Sequence, residues 1–151
     1  MDVKKQTQMI SWMYLGVAFG IILFWIGFYT QLIFPVEFLK PLIKNFDGYY
    51  AWETSFTIPD GIMALCFIIG ALRLLKNDKD RIGKTLFISA IGASIFLGVL
   101  DFTYAIGNGM YELGHIYSYL LMSIGVGLPI LGVYAMTVFI VMERESARTN
   151  K

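Results

Sequence analysis

Hydrophobic positions along this chain do not alternate with polar ones; they gather into four long stretches separated by short polar segments. A helix needs about 20 consecutive apolar residues to cross a hydrocarbon core of roughly 30 Å. Four windows reach that length, approximately residues 9–34, 56–75, 85–106 and 116–142. Between the first two lies PVEFLKPLIKNFDGYYAW, where Phe34, Phe38, Leu42 and Ile43 alternate with Glu37, Lys40 and Lys44 at helical spacing. That amphipathic pattern predicts a short helix lying in the membrane interface rather than a fifth span.

The fold class that follows is all-α: an integral membrane bundle of four transmembrane helices, forming a single domain over residues 1–151. Composition agrees, with 57% hydrophobic and 15% charged residues and a mean hydropathy of +0.65, far from the balance of a soluble domain. The start, MDVKKQTQMISWMY, is basic but runs on without a small-residue cleavage site, so the first window is read as a retained span. A net charge of +1 argues against nucleic acid as a partner. The single Cys66 excludes an intramolecular disulfide or a CxxC redox centre, and nothing in the sequence calls for a cofactor.

Lys and Arg set the orientation, because basic loops resist translocation. Lys4 and Lys5, then Arg73, Lys76, Lys79, Arg81 and Lys84, then Arg144, Arg148 and Lys151 all fall on one side; only Lys40 and Lys44 fall on the other. Both termini are therefore expected in the cytoplasm. Small residues predict close helix approach at Gly16-x-x-x-Gly20 in span one and along Ala90, Ser94 and Gly98 in span three. Three residues further, that second stripe reaches Asp101. In span four, Gly125, Gly127 and Gly132 surround Pro129, which is expected to kink the helix.

Ionisable groups carry most of the functional information, since a charge at bilayer centre costs about 2.5–3.5 kcal/mol on insertion scales. Span two begins TIPDG, which places Asp60 about one turn below the outer end, and Asp101 lies at similar depth on span three. Glu53 precedes Asp60 by seven residues, on the same face if the helix starts early. His115 opens span four on that side, with Glu112 and Asn108 before it and Tyr104, Tyr111, Tyr117 and Tyr119 around them. Each has a plainer account. Thr57-x-x-Asp60 has capping-box spacing, with Pro59 in the first turn. Glu53 and Glu112 read more simply as solvated loop residues. A zinc site normally takes three or more protein ligands, and the spacing here is nothing like HExxH, so no metal site is predicted. Trp12, Tyr14, Tyr29, Tyr49, Tyr50 and Trp52 read as an interfacial aromatic belt. Trp25 sits too deep for that belt, and Asp101 is neither at a helix start nor beside a basic residue.

FPVEFLKPLIK followed by WETSFTIPD resembles the first loop and second span of the emopamil-binding and sterol-isomerase superfamily, the EXPERA fold. On this resemblance Trp52, Ser55 and Phe56 match the family's W-x-x-S-F segment, and Asp60 takes the position of its span-two acid. The resemblance implies four spans, cytoplasmic termini and an acidic pocket for sterols or amphiphilic amines. It covers about 25 residues. The family's span-one acid has no counterpart here; Tyr29, Thr30 and Gln31 stand near its position, so ligand binding transfers more readily than isomerase chemistry.

Three functions emerge. In the first, Asp60, Asp101, Glu53, Tyr104, His115, Trp25 and Gln31 contribute to an outer-half pocket that binds or transports a small cationic or amphiphilic, lipid-like ligand. In the second, Asp60 and Asp101 act as the acid/base pair of an intramembrane isomerase-like enzyme. In the third, the chain is an accessory subunit whose glycine faces bind another membrane protein or a second copy in a homodimer. No Ser, Cys or Lys nucleophile lies beside a base in a recognisable motif, which argues against hydrolase chemistry.

Overall fold

The computed structural model describes residues 3–32, 35–41, 43–110 and 116–149. Among them it contains six helices and no strand: α1 (Val3–Thr30), α2 (Val36–Leu39), α3 (Phe46–Ser55), α4 (Thr57–Lys76), α5 (Arg81–Gly107) and α6 (Ile116–Thr149). Four segments, Lys4–Thr30, Phe46–Lys76, Arg81–Gly107 and Ser123–Val141, are long and apolar enough to cross a membrane. Their outer faces carry exposed large apolar side chains such as Phe19, Leu65, Ile69, Leu72, Phe96, Ile130 and Val133. In water such a surface would be a liability; against lipid it needs no cover.

The helices outrun the apolar windows. α1 begins at Val3, α5 at Arg81, and α6 continues to Thr149, because Lys, Arg, Glu and Gln sustain a helix once the hydrocarbon ends. α1 stops earlier than the expected residue 34, at Thr30, where Gln31 turns into the left-handed region with φ 58°. The second span extends backwards instead. α3 runs almost directly into α4 with a break at Phe56 alone, so the helical path starts at Phe46 rather than at 56. Pro59 accounts for the break: its ring would strike the Ser55 carbonyl of an uninterrupted helix.

The long helices pack in chain order, α1 on α4, α4 on α5 and α5 on α6, with only sparse contact between α1 and α6. One core cluster joins Tyr14, Phe67, Phe87 and Phe139. Tyr14, expected in the interfacial belt, is fully buried there, with ring centroids 4.6 Å from Phe67 and 5.2 Å from Phe87. A second cluster closes the opposite end, where Leu39, Ile43 and Tyr49 fold back over Trp25, Phe28 and Ala105. Ahead of α3, the segment expected to form an interfacial helix holds a single turn, α2, whose Leu39 and the following Ile43 are buried against protein while Phe38 is exposed. Phe34 and Leu42 lie outside the described residues.

Small residues divide into two kinds. At Gly98 a Cβ would come within 2.7 Å of the Pro129 ring, and at Gly132 within 2.5 Å of Ile95, so α5 and α6 approach closely where span four is rich in glycine. At Gly16 and Gly20 a Cβ would meet nothing within 4 Å. The Gly16-x-x-x-Gly20 pattern therefore does not mark a close helix contact within this bundle; both glycines are exposed, Gly20 at the edge of a cavity, because the packed face of α1 runs through Ser11, Tyr14 and Ala18. At the other end, Arg73 and Asp80 form a two-point ion pair, with Nε–Oδ1 and Nη2–Oδ2 both 2.9 Å. Asp80 also caps α5 by accepting from the Gly83 amide at 2.5 Å. One carboxylate thereby fixes both the α4–α5 turn and the start of the next helix.

Candidate functional site

Asp60 does not do what its spacing first suggested. The N-cap of α4 is Phe56, with no side-chain capping bond. The Thr57 hydroxyl donates to the Thr54 carbonyl at 2.9 Å, and the Asp60 amide donates to the Phe56 carbonyl at 2.8 Å. The Asp60 amide is thus already satisfied by the Phe56 carbonyl, and neither Thr57 nor Asp60 acts as a side-chain cap of α4. The Asp60 side chain reaches across to α1, where Oδ2 accepts from the indole Nε1 of Trp25 at 3.0 Å. One turn away, the Tyr29 and Thr57 hydroxyls bond each other at 2.7 Å. These two links pin the end of α1 to the start of α4.

Asp60 borders a cavity of about 540 Å³ that runs into the bundle. Glu53 from α3 and Asp101 from α5 border the same cavity, so three helices bring three carboxyl groups to one space. They lie within Coulombic range of one another. Among the described residues no Lys or Arg belongs to the wall. Tyr49 donates its hydroxyl to the Glu53 carboxylate, and Asp101 has no hydrogen-bond donor among the described residues. Apart from this acidic end and Ser94, the wall is mostly aliphatic and aromatic, including Val17, Ile21, Met63, Leu97, Leu128 and Leu131. From Ser94 to Ala105 the wall follows α5 for roughly 16 Å, at about 1.5 Å per residue. The chamber is polar at one end and greasy at the other.

α3 roofs the acidic end. Trp52 stacks on Tyr104 of α5 with ring centroids 4.5 Å apart and planes 6° from parallel, and both rings border the cavity. Glu53, which reads from sequence more simply as a solvated loop residue, is instead carried on this helix. Tyr49 and Trp52, assigned to the interfacial belt, belong to the cavity wall. The signal that would have found Tyr49 is its position: residues 49, 53 and 60 share one helical face, four and eleven residues apart.

The other candidates separate. Trp25 stands behind Asp60 as its hydrogen-bond donor, outside the wall itself. Gln31 is exposed beyond the end of α1 and does not border the cavity. That placement follows from the left-handed turn, which ends the helix one residue before it. His115, Tyr111 and Glu112 lie outside the described residues. Tyr119 is exposed, and Asn108 donates to the Tyr104 carbonyl at the end of α5. Among the described residues no cluster of three His, Cys, Asp or Glu side chains has the geometry to hold a metal ion. No family model, curated protein or solved structure matches this chain.

Proposed function

We propose that this protein binds a small amphiphile with a cationic head, seated with the head among Glu53, Asp60 and Asp101 and the apolar part toward Ser94 and Leu131. One observation carries the reading: three carboxyl groups from three helices converge on a largely apolar cavity whose wall, among the described residues, has no basic side chain. Acids in such surroundings are costly unless a counter-charge or protons accompany them. A ligand ammonium supplies that charge, and aliphatic walls reward its tail. The volume is that of a drug-sized molecule.

In this reading the basic α4–α5 turn and both termini face the cytoplasm, following the distribution of Lys and Arg, and the acidic end lies in the outer half of the membrane. The α2–α3 segment then sits at the outer surface. Trp52 and Asp60, two residues that carry the EXPERA-like resemblance, border the cavity, which supports ligand binding over a purely structural role. Four spans leave little room for a complete transport path, so transport would call for a homodimer.

The test is binding of dodecylamine to the purified protein in micelles, by calorimetry. Asp60→Asn and Asp101→Asn are each expected to weaken it by about ten- to a hundredfold, equivalent to about 1.4–2.8 kcal/mol, with membrane insertion intact. Unchanged affinity in both variants sinks the reading. An acid/base enzyme is the second reading, favoured by the unequal settings of Asp60, which accepts from Trp25, and Asp101, which has no donor among the described residues. Groups placed in unlike environments are how one site keeps an acid and a base together.

A further inference from the structure

The four long helices form an open row, because α1 and α6, its two ends, touch only sparingly. Both ends nevertheless wall the cavity, α1 through Val17, Gly20, Ile21 and Phe24, and α6 through Ile124 and Gly127 among others. Two walls that barely meet leave a seam. Gly20 and Gly127 stand on it: each borders the cavity, each is exposed, and a Cβ at either would meet nothing within 4 Å.

Depth decides what the seam opens onto. Gly125 seats against Phe102, and Pro129 against Gly98, so Gly127 between them lies beside the turn that carries Asp101. Gly20 is five residues before Trp25, roughly 7.5 Å along the axis at about 1.5 Å per residue. Both glycines fall inside apolar spans, Lys4–Thr30 and Ser123–Val141. Their neighbours Phe19, Leu23, Val126 and Ile130 are exposed, large and apolar. A seam so flanked faces hydrocarbon rather than water. The acidic end, by contrast, is roofed by α3 and the Trp52–Tyr104 stack.

We propose that the cavity is loaded sideways from the bilayer, through a portal between α1 and α6 framed by Gly20 and Gly127, and that its ligand is a single-chain amphiphile dissolved in the membrane. This deepens the proposed function and rests on its view of the cavity as a ligand chamber. The cavity volume admits one chain and a small head but not a two-chain phospholipid. At the portal, any side chain larger than hydrogen narrows the slot, so glycine sets its width although it costs about 1 kcal/mol relative to alanine in a helix.

The experiment measures exchange rather than affinity alone. Protein in micelles is loaded with dodecylamine, or in parallel with dodecan-1-ol, then mixed with an excess of the perdeuterated compound, and replacement is followed by native mass spectrometry. Gly20→Leu, Gly127→Leu and the double variant are expected to slow exchange at least tenfold. Gly16→Leu adds the same side chain one turn away, off the cavity wall, and is expected to exchange like wild type. Exchange at the wild-type rate in the double variant overturns the portal. So does lost occupancy with unchanged exchange, which would mean that the leucines fill the chamber and not the seam. Equal retention of the alcohol and the amine removes the cationic-head reading, and dodecanol exchange then decides the portal by itself. Retention of neither compound overturns both.

Discussion

Replacing Gly98 by alanine puts a Cβ 2.7 Å from Cδ and 2.8 Å from Cγ of Pro129. Ordinary carbon–carbon contacts lie at about 3.5–4.0 Å, so the neighbour must retreat by roughly 0.8 Å. The ring cannot swing aside, because its closure fixes φ and the residue sits inside α6. Relief requires α5 and α6 to part, which disturbs the Gly125–Phe102 and Gly132–Ile95 approaches on either side. Overpacking of this kind costs about 1–3 kcal/mol, offset by about 1 kcal/mol of better helix propensity. Gly20→Ala gains the same propensity and meets nothing within 4 Å. The difference between the two variants isolates the overpacking, about 1–3 kcal/mol, or roughly 5- to 150-fold in the unfolding constant. Reversible unfolding in mixed micelles with increasing SDS, followed by circular dichroism, measures it. Equal stability of Gly98→Ala and Gly20→Ala would refute the claim that glycine sets the α5–α6 spacing.

Other outcomes follow from the same geometry. The Trp52–Tyr104 stack is expected to give about 0.5–1.5 kcal/mol of coupling in a double-mutant cycle with leucine at both positions; strict additivity would mean that α3 is held over the cavity by other contacts. At the opposite end, the Arg73 guanidinium and then the Gly83 amide hold the Asp80 carboxyl below the usual carboxylate range. Because the folded-state value is depressed, this stabilisation is complete above the ordinary aspartate range and fades as pH falls through the folded value. The protection factor of the Gly83 amide, its exchange measured against the intrinsic rate at each pH, should therefore fall on acidification in wild type but not in Asp80→Asn. An identical acid response in the two proteins would dismiss the pairing as a source of pH dependence. Loss of dodecylamine affinity in Asp60→Asn and Asp101→Asn, and slow exchange in the Gly20 and Gly127 variants, complete the set.

The four long helices were legible because hydrocarbon thickness and hydrophobic run length are the same information. Their ends were not, since Lys, Arg and Glu leave the hydrocarbon without leaving the helix, as α6 does up to Thr149. Asp60 and Asp101 could be set at similar depth by counting turns, but the company they keep needed the fold. Trp25 is 35 residues from Asp60 in sequence, and only the α1–α4 packing brings the indole to the carboxylate. TIPDG misled for a local reason: capping-box spacing presumes that a helix starts afresh at Thr57, whereas α3 runs to Ser55 and the Asp60 amide donates to the Phe56 carbonyl in the break. The Gly16-x-x-x-Gly20 pattern misled because spacing reveals a smooth surface without revealing what faces it. Tyr14 and Tyr49 looked like belt residues since sequence position near a span end does not distinguish lipid from core.

Packing in chain order also bears on biosynthesis. When α4 is synthesised its partner α1 is already present, when α5 follows it finds α4, and α6 finds α5. No helix has to wedge between two earlier ones, and the neighbours that must meet are close in sequence, which keeps loop-closure costs small. Of the four long helices α6 contributes its wall last, after those of α1, α4 and α5. Until then the nascent chain carries Asp60 and Asp101 on helices that lack the α6 side of their chamber.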